Sequence, residues 1–259
     1  MEDKNPIQVA DRLFGAMELL AAHGPMSLTD ISRALALNKS TAHRVLNSLI
    51  FMGYVRQTED NGRYGLTFKI TELSNQMMSK VDIVTMVRPH LRRLMELTQE
   101  TIHFVERDKT EAVYIDKVEA YSNTVQMVSR IGSRIPLYRS GVGKAIAAQM
   151  SDPEVKELWE QSVIVRTTPY TITDFDDFMR NLEEVRARGY ALDNEENEAG
   201  VRCIAVSLPL HHQRARYAFS ISAPVGRMDN DRIRQLAEYV LDAKKQIMGG
   251  GLDGAHSHM

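Results

Sequence analysis

The sequence predicts an α+β protein in which an N-terminal winged helix-turn-helix precedes a larger domain built on an antiparallel sheet. Residues 9–66 show three helical segments followed by one short hairpin pattern, whereas residues from 101 onward alternate β-rich with helical segments. The 259 residues leave room for two ordinary domains. A hydrophobic content of 43% and a charged content of 25% are close to those of a typical soluble protein.

The three N-terminal helices are delimited by residues that favour helix ends. The first is predicted over residues 9–22, where Gly24 and the proline after it stop the helix. Ser27 is the predicted N-cap of the second helix, since a serine oxygen can accept a free amide of the first turn. Asn38, or the lysine after it, begins the third helix, and Gly53 ends it.

A two-stranded wing follows the third helix. The first strand begins at Tyr54 or Val55, and the second occupies residues 63–66. Residues 59–62 read Glu-Asp-Asn-Gly, a polar tip whose Asn-Gly pair tolerates the positive φ angles of a tight turn. Three helices and this hairpin together constitute a winged helix-turn-helix.

The third helix has two contrasting faces. Its apolar side chains recur at helical spacing and are expected to pack against the second helix; they are Ala42, Val45, Leu46 and Leu49. The other side carries short polar or cationic groups, namely Ser40, Thr41, His43, Arg44, Asn47 and Ser48. Side chains of this kind suit the DNA major groove, where base edges present donors and acceptors. The alternative is an ordinary solvated face of a helical hairpin.

Local charge is compatible with phosphate contacts although the whole chain is slightly acidic. The net charge is −2, but residues 33–63 contain five basic against two acidic side chains. Four of these cations are candidate DNA contacts: Lys39 and Arg44 on the third helix, and Arg56 and Arg63 on the wing.

A linker and the second domain follow the wing. Residues 68–80 are predicted to be a helical linker, and a helix over residues 83–98 contains Pro89, which either kinks it or splits it. The remaining strands and helices are predicted in alternation, which indicates an antiparallel sheet with helices packed on it. The strands fall in residues 102–107, 111–118, 124–130, 190–192, 201–209 and 215–223, the helices in 141–150, 153–161, 175–188 and 229–248.

No motif indicates a metal, a cofactor or a membrane. The segment 140–145, Ser-Gly-Val-Gly-Lys-Ala, lacks the spacing of a phosphate loop and is better explained as a glycine-bearing helix start. Its free amides are suited to a carboxylate, unless the glycines serve only close packing. The acidic run 195–198 has no His or Cys partners with metal-ligand spacing. A single cysteine and the absence of a signal segment or long apolar run predict a cytoplasmic protein.

The chain resembles the IclR family of bacterial transcriptional regulators over nearly its whole length. In the first domain the resemblance rests on LTDISRALALNKSTAHRVLNSLIFMGYV and RYGLTFKITEL. In the second it rests on SRIGSRIPLYRSGVGKAIAA, RARGYALDNEENEAGVRCIAVSLPL and AFSISAP. Within the family, the segments ETIHFVERD and DNEENEAGVRCIAV are most similar to the KdgR branch.

The resemblance implies a DNA-binding domain over residues 1–66, a dimerising linker helix over 67–82 and a GAF-like α/β effector domain over 83–248, with a flexible tail at 249–259. It also implies a homodimer or a dimer of dimers on a palindromic operator, and repression relieved by a small organic acid. The KdgR branch suggests a sugar acid such as 2-keto-3-deoxygluconate.

Effector contacts are expected from the second domain. The resemblance implies that Gly141 and Val142 line the pocket, that Asp193 accepts hydrogen bonds from effector hydroxyls, and that Cys203 lines the wall; Thr124 and Met127 match family contact positions. The period of two in residues 218–224 puts Ser220 and Ser222 on one sheet face, either inward towards a ligand or outward to solvent. Arg130 is a candidate carboxylate clamp or a member of a structural ion pair.

Two other classes of function stay open on the sequence. A ligand-sensing module whose helix-turn-helix no longer binds DNA would show the same patterns. An enzyme would need a nucleophile, and Cys203 with His211 or His212 is the only nucleophilic pairing near in sequence. Nothing orients a third group, so the sequence favours a regulator over an enzyme.

Overall fold

A computed structural model describes residues 5–58, 62–78, 82–120, 129–210 and 213–249. The chain divides into two compact units, one ending at Val81 and the other beginning at Asp82. Both units have their own core, and each is described separately. The predicted tip at 59–61, most of the 124–130 strand, His211, His212 and the tail after Gly249 lie outside the described residues.

The described part of the first unit contains four helices and one hairpin. In chain order these are α1 (Gln8–His23), α2 (Leu28–Ala34), α3 (Lys39–Phe51), β1 (Val55–Gln57), β2 (Tyr64–Leu66) and α4 (Lys69–Met78). The predicted N-cap Ser27 is confirmed, and Asn38, one of the two residues predicted to begin the third helix, is the N-cap of α3. The Ser27 hydroxyl accepts the Asp30 amide at 3.2 Å, and the Asn38 side-chain oxygen accepts the Thr41 amide at 2.8 Å.

The core of the first unit holds α3 in place. Apolar side chains of α1, α2 and α3 meet those of the hairpin in one cluster, which includes Leu20, Ile31, Leu46, Leu49, Val55 and Tyr64. The hairpin is antiparallel, and the Met26 amide donates to the Tyr64 carbonyl at 2.9 Å. The hairpin is thus fastened to the turn before α2, which completes the expected winged helix-turn-helix.

In the second unit, the described residues form a six-stranded antiparallel sheet with helices. Its elements are α5 (Asp82–Thr98), β3 (Thr101–Asp108), β4 (Glu111–Val118), β5 (Arg134–Pro136), α6 (Gly141–Ala147), α7 (Asp152–Gln161), α8 (Phe175–Arg188), β6 (Ala191–Asn194), β7 (Val201–Leu210), β8 (Gln213–Pro224) and α9 (Asn230–Gly249). The strand order is β5-β4-β3-β8-β7-β6. This arrangement confirms the predicted α+β class.

Helices cover both faces of the sheet. On one face α6 and α8 pack over β3, β7 and β8 in a cluster that contains Val105, Val142, Ile146, Leu182 and Ala205. Strand side chains alternate between faces, so Phe104 and Ile204 point the other way, towards α5 and α9.

A β-bulge shapes the face beneath α6. Tyr114 pairs with Val105, and Asp116 pairs with Phe104, which leaves Ile115 as an extra residue between them. Because neighbouring residues of β3 face opposite ways, the bulge sends Tyr114 and Asp116 to opposite faces of the sheet. Tyr114 lies on the same face as His103 for this reason.

The structure decides one alternative and differs from the sequence prediction in two strands. At Pro89 the split is excluded, because α5 continues through this residue from Asp82 to Thr98. Val87 and Leu91 are fully buried on either side of it, and this burial offsets the lost hydrogen bond. The three-residue strand β5 was not predicted, and Ser129 and Arg130 at the end of the predicted 124–130 strand are not part of a strand.

Candidate functional site

The exposed side of α3 is the first candidate site. The predicted apolar face is buried, as Ala42, Val45, Leu46 and Leu49 all belong to the interior. The opposite side is exposed and carries Lys39, Ser40, His43, Arg44, Asn47 and Ser48, with Thr41 half-buried beside them. The structure therefore brings every predicted contact residue of this helix onto one continuous polar surface.

The described hydrogen bonds of these side chains are all formed with residues of the same helix or its N-cap. The Asn47 amide nitrogen lies 3.4 Å from His43 Nδ1, one turn away, and the Ser40 hydroxyl donates to the Asn38 side-chain oxygen at 2.9 Å. Among the described carboxylates, none forms an ion pair with Lys39 or Arg44. Such side chains have donors left for an external partner.

The wing adds two cations, one on each arm of the hairpin. Arg56 lies in the middle of β1 opposite Gly65, and its side chain is exposed. Arg63 is also exposed, and its carbonyl accepts the Thr58 amide at 2.8 Å, which closes the hairpin next to the tip. Both arginines therefore lie on a hairpin whose backbone is fixed.

A small cavity in the second unit is the other candidate site. It measures about 50 Å³ and opens between strands β3, β4, β6, β7 and β8. Most of its lining is polar, which distinguishes it from a packing defect in the core. The lining residues are His103, Tyr114, Ser129, Ile135, Asp193, Asn197, Glu198, Val201, Cys203 and Ser222.

His103 is held as a neutral imidazole at the base of this cavity. Its Nδ1 lies 3.1 Å from the Ser222 hydroxyl, and its Nε2 lies 2.6 Å from the Ser129 hydroxyl. Burial, reinforced by the nearby Lys117 ammonium, lowers the pKa of His103 to about 3. At neutral pH the ring therefore acts through hydrogen bonds, one donated and one accepted.

Asp193 is one of the two acidic residues that line the cavity, together with Glu198. One of its carboxylate oxygens accepts the amides of Glu196 at 2.8 Å and Asn197 at 3.3 Å. Burial and the neighbouring Glu196 carboxylate raise the pKa of Asp193 to about 7, against the opposing effect of Lys144. Near neutral pH this group can thus accept a ligand's hydrogen bond or donate its own.

The loop that follows Asp193 is fixed by a buried ion pair. Lys144 of α6 is fully buried and contacts the Glu196 carboxylate, whose side chain is also buried. Two threonine hydroxyls hold the backbone of the same loop: Thr171 donates to the Glu196 carbonyl and Thr168 to the Glu195 carbonyl, both at 2.7 Å. These contacts set the position of Asp193 and of the loop residues beside it.

Cys203 has the properties of a lining residue rather than of a nucleophile. Burial raises the pKa of its thiol, and nearby carboxylates raise it further. Burial likewise raises the pKa of the Tyr114 hydroxyl. Both groups are therefore protonated at neutral pH, and a protonated thiol attacks poorly. The histidines that the sequence pairs with Cys203 lie outside the described residues.

The structure gathers some of the predicted effector residues and not others. Three of them line the cavity: Asp193, Cys203 and Ser222. The Ser220 hydroxyl is buried and lies 3.5 Å from that of Ser222. The alternative in which these two serines face solvent is therefore wrong. Arg130 is exposed and is not part of the lining. Thr124 and Met127 lie outside the described residues.

The glycine-bearing start of α6 lies behind the cavity. A Cβ on Gly141 would lie 3.4 Å from the Asp193 backbone nitrogen, and Val142 is buried in the core beneath. The Gly143 amide already donates to the Ser140 hydroxyl at 3.1 Å, and a Cβ there would overlap the Leu137 backbone. At Gly143 this geometry favours the close-packing alternative over an anion-binding one.

The sequence prediction included three of the ten lining residues. The seven that were not predicted as effector contacts are His103, Tyr114, Ser129, Ile135, Asn197, Glu198 and Val201. A histidine at an alternate position of an otherwise apolar strand, as in Ile-His-Phe-Val, is the one local signal that pointed here. Among the described residues, no cluster of His, Cys, Asp and Glu is arranged to hold a metal ion, and no helix is long and apolar enough to cross a bilayer.

The winged fold and the polar surface of α3 define a helix-turn-helix DNA-binding protein. Residues 9–59 match the IclR helix-turn-helix domain, and residues 75–248 match the C-terminal domain of the bacterial transcriptional regulator IclR. The chain belongs to the IclR family of transcriptional regulators.

Individual relatives agree with this assignment. The HTH-type transcriptional regulator KdgR of Escherichia coli is 34% identical over 247 residues, which cover 95% of this chain and 94% of that protein. The DNA-binding transcriptional repressor YiaJ of the same organism is 37% identical, over 82% of this chain and 74% of that protein. The crystal structure of Thermotoga maritima IclR superposes with a TM-score of 0.83 at 30% identity, covering 94% of this chain and 98% of that one. The similarity to KdgR agrees with the resemblance to the KdgR branch.

Proposed function

We propose that this regulator is a cytoplasmic repressor that binds a palindromic operator and changes its affinity when a small organic acid occupies the cavity of the second unit. The proposal rests mainly on the exposed polar surface of α3. The apolar face of this helix is buried in the winged fold, so the polar side chains point outward. The similarity to a relative named as a repressor supports the sign of regulation.

Direct contacts to DNA follow from the arrangement of α3. Inserted into the major groove, the helix would present Ser40, Thr41, His43 and Arg44 to base edges and phosphates, with Lys39 and Asn47 at its borders. Arg56 and Arg63 on the wing would then meet the adjacent backbone or the minor groove. Phosphate contacts would position the protein, while the base contacts would select the sequence.

The chemistry of the cavity suits the hydroxyl-rich part of a sugar acid. Its described lining offers two carboxyl groups, an imidazole, a phenol, an amide, hydroxyls and a thiol, and includes neither Lys nor Arg. Asp193 and Ser222 would bond ligand hydroxyls, with Cys203 on the wall; Gly141 and Val142 support this wall from behind. The candidate contacts to the remaining part of the sugar acid are Thr124, Met127 and Arg130. A six-carbon keto acid such as 2-keto-3-deoxygluconate carries such hydroxyls, and only part of it would occupy the cavity of about 50 Å³.

Effector binding would change the affinity for DNA by changing the geometry of the oligomer. Two recognition helices on one face of DNA must lie about 34 Å apart, or a multiple of that, to enter successive major grooves. A homodimer or a dimer of dimers whose spacing differs between the free and the acid-bound forms would therefore have two operator affinities. Coupling of this kind typically amounts to about 1–3 kcal/mol and is reciprocal between the two ligands.

We expect the Arg44→Ala variant to lose about 1–3 kcal/mol of operator affinity, because a bidentate arginine contact to a guanine is worth that much discrimination. Arg44 is exposed, so the fold should keep its thermal stability. Arg44→Lys is the matched control: it keeps the charge and loses the planar fork. Fluorescence anisotropy with the operator and with a scrambled duplex should show reduced specificity in both variants. Operator affinity unchanged in Arg44→Ala would remove Arg44 from the interface.

The effector proposal is tested by a thermal-shift screen of sugar acids, keto acids and aromatic acids. A stabilising acid should bind about tenfold to a hundredfold more weakly to Asp193→Asn and to Ser222→Ala, which each lose a ligand hydrogen bond. Asn keeps the oxygen that holds the Glu196 amide, so the loop should persist. Ser207→Ala, a buried serine of β7 outside the cavity lining, is the control and should bind normally. An acid with the same affinity for the wild type and for both cavity variants would bind outside the cavity.

A further inference from the structure

A groove between α1 and α3 lies beside the proposed recognition surface. It measures about 190 Å³. Helix α1 forms one wall of the groove, and α3 forms the other. The wall from α1 contains Val9, Arg12 and Leu13, and the wall from α3 contains Thr41, Arg44, Val45 and Ser48. The first helix thus borders the surface that faces DNA, although the sequence assigns it no contact.

Among the described residues, the cationic groups of this groove have no anionic partner. Arg12 and Arg44 are both exposed, and no described carboxylate forms an ion pair with either of them. Arg33 on α2 differs, since its guanidinium pairs with Asp30 at 3.5 Å. Two cations lining one groove repel each other until an anion lies between or beside them.

The apolar groups of the groove indicate which anion it accepts. Val9, Leu13 and Val45 line the same space as the two arginines and the hydroxyls of Thr41 and Ser48. A free inorganic ion gains nothing from apolar walls. The DNA backbone offers two complementary parts. Its phosphate can accept hydrogen bonds from the guanidinium and the hydroxyls, and its deoxyribose has C–H groups that can contact the apolar side chains.

We propose that this groove holds one segment of the DNA backbone, with its phosphate bound by Arg12 of α1 and by the hydroxyls of Thr41 and Ser48. This contact rests on the proposed function, because it requires α3 to enter the major groove. Arg12 fixes the register of the helix on the duplex and carries no sequence information, which leaves Arg44 to contact base edges.

The test compares Arg12→Gln with Arg33→Gln, which removes the same charge from an exposed arginine that already has an acidic partner. Affinities are measured against salt for the operator and for a scrambled duplex. Loss of one phosphate contact should weaken both duplexes by a similar factor, about threefold to tenfold, and reduce the salt slope by about 1. Arg33→Gln should stay within about twofold of the wild type, since a surface ion pair contributes little.

Each result decides one point. Equal affinities and slopes for the wild type and Arg12→Gln would overturn the Arg12 contact while operator binding stands. An equal loss in Arg33→Gln would also overturn it, because the effect would then be one of general charge. A wild-type protein that binds no duplex would overturn the proposed function and this contact with it. Arg12→Lys, which keeps the charge, should retain the wild-type salt slope.

Discussion

Replacement of Lys144 by methionine is expected to lower the free energy of unfolding of the second unit by about 3–5 kcal/mol, the usual cost of removing one partner of a buried ion pair. Lys144 is fully buried and Glu196 nearly so, and the carboxylate has no other cation to replace the lost ammonium among its described contacts. Asp193 lies close by, so the substitution would leave two carboxyl groups in one poorly solvated site.

The measurement is denaturant unfolding followed by the fluorescence of Trp159. This is the single tryptophan of the chain, and it packs against Tyr138 and Phe178 in the second unit. The loss should shrink as the pH falls below about 7, because Lys144 holds down the pKa of Asp193 and protonation of Asp193 removes its repulsion with the Glu196 carboxylate. Lys144→Met combined with Glu196→Leu should recover most of the stability. A double variant no more stable than the single one would contradict a paired charge at this place.

The Gly143→Ala variant is expected to be destabilised by about 3 kcal/mol or more, at the upper end of what overpacking costs. A Cβ at residue 143 would lie 2.2 Å from both the Cα and the carbonyl oxygen of Leu137. These are backbone atoms, so no change of rotamer relieves the overlap, and α6 would have to move away from the strand before it.

Gly141→Ala is the matched control, since it makes the same change at the start of the same helix. Its Cβ would lie 3.4 Å from Ala205 Cβ and from the Asp193 nitrogen, a tight contact that small shifts relieve. Unfolding followed at Trp159 should therefore show a much smaller loss for Gly141→Ala than for Gly143→Ala. Similar stabilities of Gly143→Ala and the wild type would show that the close approach of α6 to Leu137 is not needed.

The first unit was predictable from sequence because its determinants are local. Ser27 and Asn38 cap helices through bonds to amides three residues away, and the apolar period of α3 directly gives its buried face. Each of these signals acts within one helix or its first turn. A reader of the sequence can therefore place α3 and its exposed residues without knowing the tertiary fold.

The cavity was only partly predictable because its parts are distant in sequence. His103 meets Ser222 across 119 residues, and Lys144 meets Glu196 across 52. A buried lysine is also unexpected on composition grounds, since lysine is rarely buried without a partner, and the partner is not visible in the sequence. Tyr114 faces the cavity only because of the bulge at Ile115, which breaks the simple alternation of β4.

The most direct test of the account is a binding titration of the purified protein with the DNA upstream of its own gene. The account predicts that at low salt one fragment from this region binds far more tightly than a scrambled duplex of equal length. One of the candidate acids should change that affinity by about 5-fold to 150-fold. Failure to bind any promoter fragment, with or without the acids, would contradict a DNA-binding regulator controlled by a metabolite.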